Sequence, residues 1–276
     1  MSPSWRDRIG VSLSPGRVGL LRFARGWQPQ LAQSEVAEDE TGAEDVTGSV
    51  AIRLLAALLA DASMSRRADV SVTLSNHFVR YVVLPWSDVV SDEDWQALAQ
   101  HQFHIVYGDA AVEWVTTVAW QGPDRPVLAC AAPRALVDML HATVRTAGMR
   151  LASVSPYFVA AFNFCRRRLP EDGFWFGVVE PGRFAFGGVE RGTWLSVASR
   201  RLGSDDTLQL AQTLEQEVLG GESSAARGRA FVFAPEQELA AAEGEGMGWT
   251  LEKLSLRDTA SPITDARLAA ALTALA

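Results

Sequence analysis

The sequence predicts an α/β protein built from two copies of one architecture, with two facing lobes and a small α+β insertion in the first lobe. Strand-like runs alternate with helical patterns, and the order of three strands, helix, strand, helix, strand and helix occurs twice. One block within the first copy breaks this order and predicts the insertion. A chain of 276 residues with 48% hydrophobic residues is long enough to bury the cores of two medium-sized lobes.

The first copy begins with a hairpin, IGVSLSPGRVGLLRF. Its apolar residues predict strands at 9–13 and 17–23 around a turn at Ser14-Pro15-Gly16, and a third strand is expected at 30–36. The question that this turn raises is whether its backbone holds a phosphate group.

An acidic stretch and a helix follow the hairpin. The stretch from Glu38 to Asp45 includes no basic residue, which favours a solvated loop. Ser49 is the candidate N-cap of the next helix, whose apolar residues recur at helical spacing. The other elements expected in this copy are a strand at 70–74, a strand at 127–132, a helix from Arg134 to Gly148, a strand at 151–154 and a helix opened by Ser155-Pro156.

The block at about 76–121 differs from its surroundings and predicts the insertion. Its run HFVRYVVLPW is β-branched and aromatic, SDEDWQALAQHQFHIVYG begins with a Ser91 cap and Asp94 three residues later, and AVEWVTTVAW alternates like a strand. The block also contains four tryptophans, Trp86, Trp95, Trp114 and Trp120. Some of them belong to its core, and the others favour an exposed aromatic anchor for a partner.

The second copy begins at Phe174. The segment FWFGVVEPGRFAFGGVERGTWLSVASRRL predicts three strands separated by turns at Pro181-Gly182 and Arg191-Gly192. The elements expected after it are a helix capped by Ser204, a strand at 231–233, a helix at about 236–243, a strand at 249–254 and a last helix at about 263–275.

Three stretches resemble the actin-like ATPase superfamily, and within it the PilM-like proteins of type IV pilus assembly and the cytoplasmic domain of the type II secretion component GspL. IGVSLSPGRVGLLRF is similar to the family's opening hairpin, and VEPGRFAFGGVERGTWLSVASRRL is similar to its second-lobe hairpin. LACAAPRALVDMLHATVRTAGMRLASVSPYFVAAFNF is similar to the segment that joins the lobes. The resemblance implies a duplicated actin-like, ribonuclease H-like fold, with a first lobe at 1–155 that includes the insertion and a second lobe at 156–276.

Active members of this superfamily hold nucleotide phosphates with an aspartate-containing turn in each lobe, and the carboxylates position hydrated magnesium. In this sequence Ser12 takes the place of the first aspartate and Ser14 that of the glycine, while Pro15 removes a backbone N–H. In the second lobe Glu180-Pro181-Gly182 stands in place of Asp-x-Gly. Ala234-Pro235 replaces the adenine-side Gly-Gly.

These departures predict a pseudo-ATPase that has no cofactor. Hydrolysis would need a placed metal and water in addition to phosphate affinity. ATP with magnesium is the alternative cofactor. The residues that would face a bound nucleotide are Ser12, Ser14, Glu180 and Gly182.

The resemblance implies a cytoplasmic scaffold or adaptor of a type IV pilus or type II secretion-like assembly, held at the inner membrane through a partner. That partner would be a bitopic inner-membrane protein, whose short PilN-like tail docks in a groove of the first lobe and its insertion. Position and side-chain type select the contact residues Phe78, Arg80, Tyr81 and Trp86. The alternatives are an active actin-fold ATPase or small-molecule kinase, or an unrelated α/β domain. A second copy of the chain is a further possible partner, in a homo-oligomer.

Composition disfavours several other functions. A net charge of −8 argues against nucleic acid as the main partner, and no apolar run reaches the ~18 residues that a membrane span needs. The polar start from Met1 to Arg8 lacks the apolar core of a secretory signal, which favours the cytoplasm. The single lysine, Lys253, lies outside any phosphate-loop motif.

Three groups of side chains could support other chemistry, and each has a simpler interpretation. His101, His104 and Asp109 could share a metal, but surface histidines on an amphipathic helix are favoured, because no further ligand follows at a recognised spacing. Cys130 and Cys165 lie in apolar runs and are expected to be reduced, buried thiols. The carboxylates of GSDD at 203–206 are interpreted as the N-terminal cap of a helix.

Overall fold

A computed structural model of the chain describes most of its residues. The described ranges are 6–27, 30–39, 45, 47–61, 64, 67–87, 91–171, 173–203, 207–220, 228–237, 239, 248–256 and 263–275. The strands in these ranges are β1 (Asp7–Ser14), β2 (Arg17–Ala24), β3 (Gln30–Glu38), β4 (Ala68–Leu74), β5 (Arg80–Leu84), β6 (Trp114–Ala119), β7 (Val127–Pro133), β8 (Arg150–Pro156), β9 (Phe174–Glu180), β10 (Arg183–Glu190), β11 (Thr193–Arg201), β12 (Arg229–Phe233) and β13 (Thr250–Leu254). The α-helices are α1 (Ser49–Leu59), α2 (Asp92–Tyr107), α3 (Arg134–Thr146), α4 (Tyr157–Cys165), α5 (Thr207–Gly220) and α6 (Ala269–Thr273), and 3-10 helices cover Gly108–Glu113, Arg166–Arg168 and Ala266–Leu268.

Two five-stranded sheets have the same topology. The first sheet has the order β3-β2-β1-β4-β8 and the second sheet the order β11-β10-β9-β12-β13. In each sheet the first three strands along the chain form an antiparallel meander, and the last two run parallel to the first of those three. The repeated strand order confirms the duplicated architecture that the sequence predicts.

The central strands are apolar because both faces of each sheet are covered. Every residue of β9 is buried, and Ile9, Val11 and Leu13 of β1 are fully buried. On one face of the second sheet, Trp175 and Phe186 belong to a hydrophobic cluster with Leu210 and Leu214 of α5.

The insertion consists of α2 and a three-stranded sheet with the order β5-β7-β6. The buried face of α2, formed by Trp95, Ala99 and Phe103, packs in one cluster with Leu84 of β5 and Val127 of β7. The sequence predicts an insertion that ends at about residue 121. Its sheet also includes β7, which begins at Val127. Strand β5 also packs against β11.

The chain divides into two compact units. The first comprises 1–78, 133–164 and 259–276, and the second comprises 79–132 and 165–258. These units differ in extent from the expected lobes 1–155 and 156–276. The insertion segment packs with β11 in the second unit, whereas α6 packs with β1 and β2 in the first.

Glycines in the first sheet allow the C-terminal segment to approach closely. A Cβ on Gly10 would lie 2.3 Å from the backbone oxygen of Ala271, and a Cβ on Gly19 would lie 3.2 Å from a methyl of Leu268. Any side chain at Gly10 would therefore displace α6. Leu268 and Ala271 are buried in the same cluster as Leu21.

Most expected elements are present, and the predicted starts of two helices, α1 and α4, are wrong. Ser91 is the N-cap of α2, as predicted, because its side chain accepts a hydrogen bond from the Asp94 N–H. Ser49 is not a cap: it is the first residue of α1, and Gly48 at the N-cap position has a φ of 77° and offers no side chain. Pro156 ends β8 instead of opening α4, because it extends the strand that pairs with β4.

Some expected features lie outside the described residues. These are the Ser204 cap with the rest of 204–206, and most of the helix at 236–243. The described part of the last expected helix is shorter than predicted, since the α-helix covers only Ala269–Thr273 after a 3-10 turn.

Candidate functional site

The two serines of the first hairpin form hydrogen bonds within the hairpin itself. Ser12 is buried, and its Oγ accepts a hydrogen bond of 3.2 Å from the N–H of Gly19 on the paired strand. The Oγ of Ser14 donates to the carbonyl oxygen of Arg17 at 3.3 Å and so closes the turn. Both hydroxyls stabilise the hairpin in which the resemblance places a phosphate site.

A carboxylate of the same chain binds the backbone of the first turn. Asp45 is 3% exposed, and its carboxylate accepts hydrogen bonds from the N–H groups of Gly16 at 3.4 Å, Val50 at 3.2 Å and Ala51 at 2.9 Å. Asp45 therefore caps the N-terminus of α1 in place of Ser49, where a negative charge also suits the helix dipole. The interpretation of the whole acidic stretch as a solvated loop is wrong at this residue.

The second hairpin has a different turn. Gly182 has a φ of 72°, which favours glycine, and its carbonyl oxygen accepts a hydrogen bond of 3.0 Å from the N–H of Leu202. Pro181 offers no N–H to a ligand. Glu180 at the end of β9 is 7% exposed and lies opposite Arg183 in the β9–β10 ladder.

Arg183 is a buried cation that the sequence does not single out. It is 8% exposed, and its Nη1 donates to the Oγ of Ser199 at 3.2 Å. Its Nε–H is shielded from solvent and has no acceptor among the described residues. Burial lowers the pKa of this guanidinium, the charge of Arg80 lowers it further, and the Glu180 carboxylate opposes the shift.

The end of β12 is the place where the resemblance puts an adenine-side Gly-Gly and where this chain has Ala234-Pro235. Ala234 is fully buried, and a bend over 235–237 follows it. Pro235 adds no backbone donor at this position.

The four predicted docking residues differ in how accessible they are. Phe78 and Tyr81 are 4% and 5% exposed, so their side chains offer little contact area to a partner. Arg80 is half-buried, and its Nη1 donates to the carbonyl oxygen of Val79 at 2.9 Å. Trp86 is half-buried and packs on the buried Trp95, with a distance of 5.9 Å between the two ring centroids.

The tryptophans of the insertion divide into core and surface residues. Trp95 is buried, while Trp86 and Trp114 pack against the insertion core. Trp120 is 63% exposed and is therefore the side chain of this set that could serve as an aromatic anchor. The neighbouring Gln121 holds the strand end in place, since its side-chain amide accepts from the N–H of Trp194 at 2.7 Å and donates to the carbonyl oxygen of Pro126 at 2.8 Å.

The remaining candidates occupy ordinary environments. His101, His104 and Asp109 are exposed, and the described residues include no group of three or more side chains arranged to hold a metal ion. Burial raises the pKa of both Cys130 and Cys165 to about 12, so neither is a thiolate at neutral pH. Within the described ranges, the helices are too short or too polar to cross a bilayer.

Comparisons with known proteins identify the fold. No protein-family model matches the chain, and no curated protein matches it. Among solved structures, a chain of the PilM-PilN type IV pilus biogenesis complex is similar, with a TM-score of 0.69 and 15% identity over 97% of this chain and 97% of that chain. The cytoplasmic domain of EpsL, an inner membrane component of the type II secretion system of Vibrio cholerae, gives a TM-score of 0.58 and 12% identity over 98% and 94% of the two chains.

A third similar structure has a fold that is already known as actin-like. It is a Bacteroides thetaiotaomicron protein of unknown function with an actin-like ATPase fold, which gives a TM-score of 0.57 and 10% identity over 97% and 96% of the two chains. Together with the two sheets of identical topology, these similarities confirm the predicted fold class. The chain has the duplicated actin-like fold that is also present in the PilM-PilN complex and in the cytoplasmic domain of EpsL.

Proposed function

We propose that this protein is a cytoplasmic scaffold of a type IV pilus or type II secretion-like assembly, which binds the tail of an inner-membrane partner and does not hydrolyse ATP. The binding of the first turn by Asp45 is the observation that carries the proposal. A phosphate at this turn would have to compete with a buried carboxylate that already accepts three backbone N–H groups. Displacing such a group would leave buried donors unsatisfied or bring two anions together.

The same hairpin offers little for metal chemistry. In the place of the expected aspartate, Ser12 is buried and hydrogen-bonded to Gly19. A hydroxyl has no charge with which to position hydrated magnesium, and phosphoryl transfer depends on such a metal. The first lobe is thus better suited to a structural role than to catalysis.

The proposed partner is a bitopic inner-membrane protein with a PilN-like cytoplasmic tail. Support comes from the fold likeness to a chain of the PilM-PilN complex, which extends over 97% of both chains. Arg80 and Trp86 remain the proposed contacts, because each side chain is only half-buried and so keeps surface for a partner. A tail with an acidic or aromatic residue would suit this pair.

Affinity capture tests the proposal. The tagged full-length chain is incubated with detergent-solubilised membranes of its source, and a synthetic peptide copy of the tail of any captured single-span protein is then titrated. We expect Arg80→Ala to weaken peptide binding about tenfold, the effect of losing one charge-assisted contact. Arg125→Ala, an exposed arginine in the same insertion, is the matched control and should bind normally.

Trp86 needs a more conservative change, because it packs on Trp95. Trp86→Phe keeps an aromatic ring in the core, and circular dichroism checks that the variant folds. Unchanged peptide affinity in both Arg80→Ala and Trp86→Phe would contradict the placement. Stabilisation by Mg-ATP of about 2.7 kcal/mol at a hundred times its dissociation constant would instead favour the ATPase or kinase alternative.

A further inference from the structure

We propose that the first compact unit binds an anionic lipid bilayer through one edge of its sheet, with Trp27 at the interface and Arg8 and Arg25 beside it. These three residues belong to that unit. The inference goes beyond the proposed scaffold function, in which the tail of a partner holds the chain at the membrane. It assigns a direct lipid contact to the chain itself and does not depend on that tail.

The edge lies where β1 and β4 begin and β2 ends. Arg8 of β1 lies opposite Phe23 of β2 on one side and opposite Asp69 of β4 on the other. Arg25 and Trp27 lie in the connection from β2 to β3. The strand register therefore brings Arg8 and this connection to the same edge of the sheet.

A buried carboxylate fixes the start of the connection. Asp7 accepts a hydrogen bond of 3.1 Å from the backbone N–H of Arg25 and another of 3.1 Å from the guanidinium of Arg22. Hydrogen bonds to an ionised acceptor are stronger than those between neutral groups. The backbone that leads to Trp27 is thus tied to β1, and the residues after it are presented from a fixed strand end.

Trp27 exposes a large apolar ring at this edge. Among the large hydrophobic side chains of the described residues it is the most exposed, at 78%. The described residues nearest to it in the sequence, Arg25, Gly26 and Gln30, offer no apolar side chain, whereas the core of a protein–protein interface is usually apolar. A tryptophan ring has an apolar body and a polar N–H, and this combination favours the boundary between water and lipid.

The same edge carries an excess of positive charge. Its two carboxylates, Asp7 and Asp69, are each paired with an arginine. Arg8 donates to the carbonyl oxygen of Leu275 at 2.7 Å, and this neutral group leaves its charge uncompensated. Arg25 is exposed, and it is the backbone N–H of this residue that bonds Asp7. This local excess contrasts with the net charge of −8 of the whole chain.

An anionic bilayer matches this distribution of charge and apolar surface. Anionic lipids attract arginines, and each arginine near the membrane surface adds to the affinity. The same lipids repel the acidic remainder of the chain, so the bilayer selects the orientation in which this edge faces it. A DNA duplex also carries phosphates, but it has no apolar layer to take up a tryptophan ring.

Co-sedimentation of the full chain with lipid vesicles, in the absence of any partner, is the direct test. The vesicles consist of phosphatidylcholine with about a third of phosphatidylglycerol, and vesicles of phosphatidylcholine alone are the reference. We expect binding to the mixed vesicles that weakens as sodium chloride is added, because salt screens exposed charges. Arg25→Gln should weaken this binding about fivefold, and Trp27→Ser about tenfold.

Each variant has a matched control at an exposed position. Arg134→Gln changes an exposed arginine of the same unit at the start of α3, about 18 Å along that helix from the edge where β8 begins. Ile105→Ser changes an exposed apolar side chain of α2. Both controls should bind the vesicles as the parent chain does. Circular dichroism should show the parent's fold in every variant, because all the changed side chains are exposed.

Several results would overturn the proposal. One is a chain that sediments with neither kind of vesicle, or with both kinds equally. Another is equal affinity in Arg25→Gln and Arg134→Gln, or in Trp27→Ser and Ile105→Ser. Tighter binding to a DNA duplex than to the mixed vesicles would assign the arginines to nucleic acid instead. Failure to capture a membrane partner would leave the vesicle result unaffected, since no partner is present in this experiment.

Discussion

The first and second hairpins occupy equivalent places in two sheets of identical topology, yet they have opposite chemistry. At the first turn, the N–H of Gly16 donates to the Asp45 carboxylate. Beside the second turn, the Arg183 guanidinium lies between Arg201 and Glu180 in the ladder. Duplication has thus preserved the backbone, while different side chains serve as partners of the two hairpins.

The largest expected effect concerns the first hairpin. Asp45→Ala removes the acceptor of three backbone N–H groups, two of them at the N-terminus of α1. We expect the free energy of unfolding to fall by about 1–3 kcal/mol, the usual effect of losing a cap and leaving buried donors unsatisfied. Urea denaturation measures this change.

Asp138→Ala is the matched control for this prediction, because Asp138 is an exposed aspartate on α3. Its stability should stay within about 0.5 kcal/mol of the parent. If Asp45→Ala were as stable as Asp138→Ala, the stabilising role assigned to Asp45 at the first hairpin would be contradicted.

The second prediction concerns the charges of Glu180 and Arg183 at the second hairpin. Glu180→Gln keeps the size of the side chain next to Arg183 but removes the negative charge that favours the charged form of that buried guanidinium. We expect the free energy of unfolding to fall by about 1 kcal/mol, because a buried cation loses a carboxylate that stabilises it. Urea denaturation measures this change.

Glu190→Gln at the far end of β10 serves as the control and should lower the free energy of unfolding by less than Glu180→Gln does. Equal stability of Glu180→Gln and the parent chain would contradict the role assigned to Glu180 as the carboxylate that supports Arg183.

The smallest effect compares equivalent ion pairs in the two sheets. In the first sheet, Asp69 lies opposite Arg150 and bonds two of its nitrogens, at 2.9 and 2.7 Å. In the second sheet, Glu252 bonds Arg229 at 3.3 Å, and both side chains are at least half exposed. We expect Asp69→Asn to lower stability by about 0.5 kcal/mol, and Glu252→Gln to have a smaller effect.

The pH dependence gives a further readout of the Asp69 pair. The hydrogen bond from Arg150 holds the pKa of Asp69 below its ordinary value. The stabilisation is therefore present above about pH 4 and is lost as the pH falls through the lowered pKa. The difference between the parent chain and Asp69→Asn should vanish in acid, and a difference that persists there would contradict this assignment.

Local patterns were sufficient to predict much of the fold. Alternating apolar residues predicted both hairpins, and the Ser91-x-x-Asp94 spacing predicted the start of α2, because these features depend on neighbours in the sequence. The repeated order of elements predicted the duplication for the same reason.

Contacts between distant segments could not be predicted in this way. Asp45 is 29 residues from Gly16, in a stretch whose composition suits solvent exposure. Arg80 and Arg183 lie near each other only because β5 packs against β11. The burial of Phe78 and Tyr81 likewise follows from tertiary packing, which a β-branched and aromatic run does not reveal.

The close approach of α6 to β1 has a consequence for how the molecule forms. Arg8 donates to the carbonyl oxygen of Leu275, a contact between residues 267 positions apart. During synthesis, β1 and β2 are made long before the segment that covers them, and such long-range closure is slow. A stop codon shortly before Ile263 would thus expose the first sheet, and the damage would appear in strands that lie far from the mutation in the sequence.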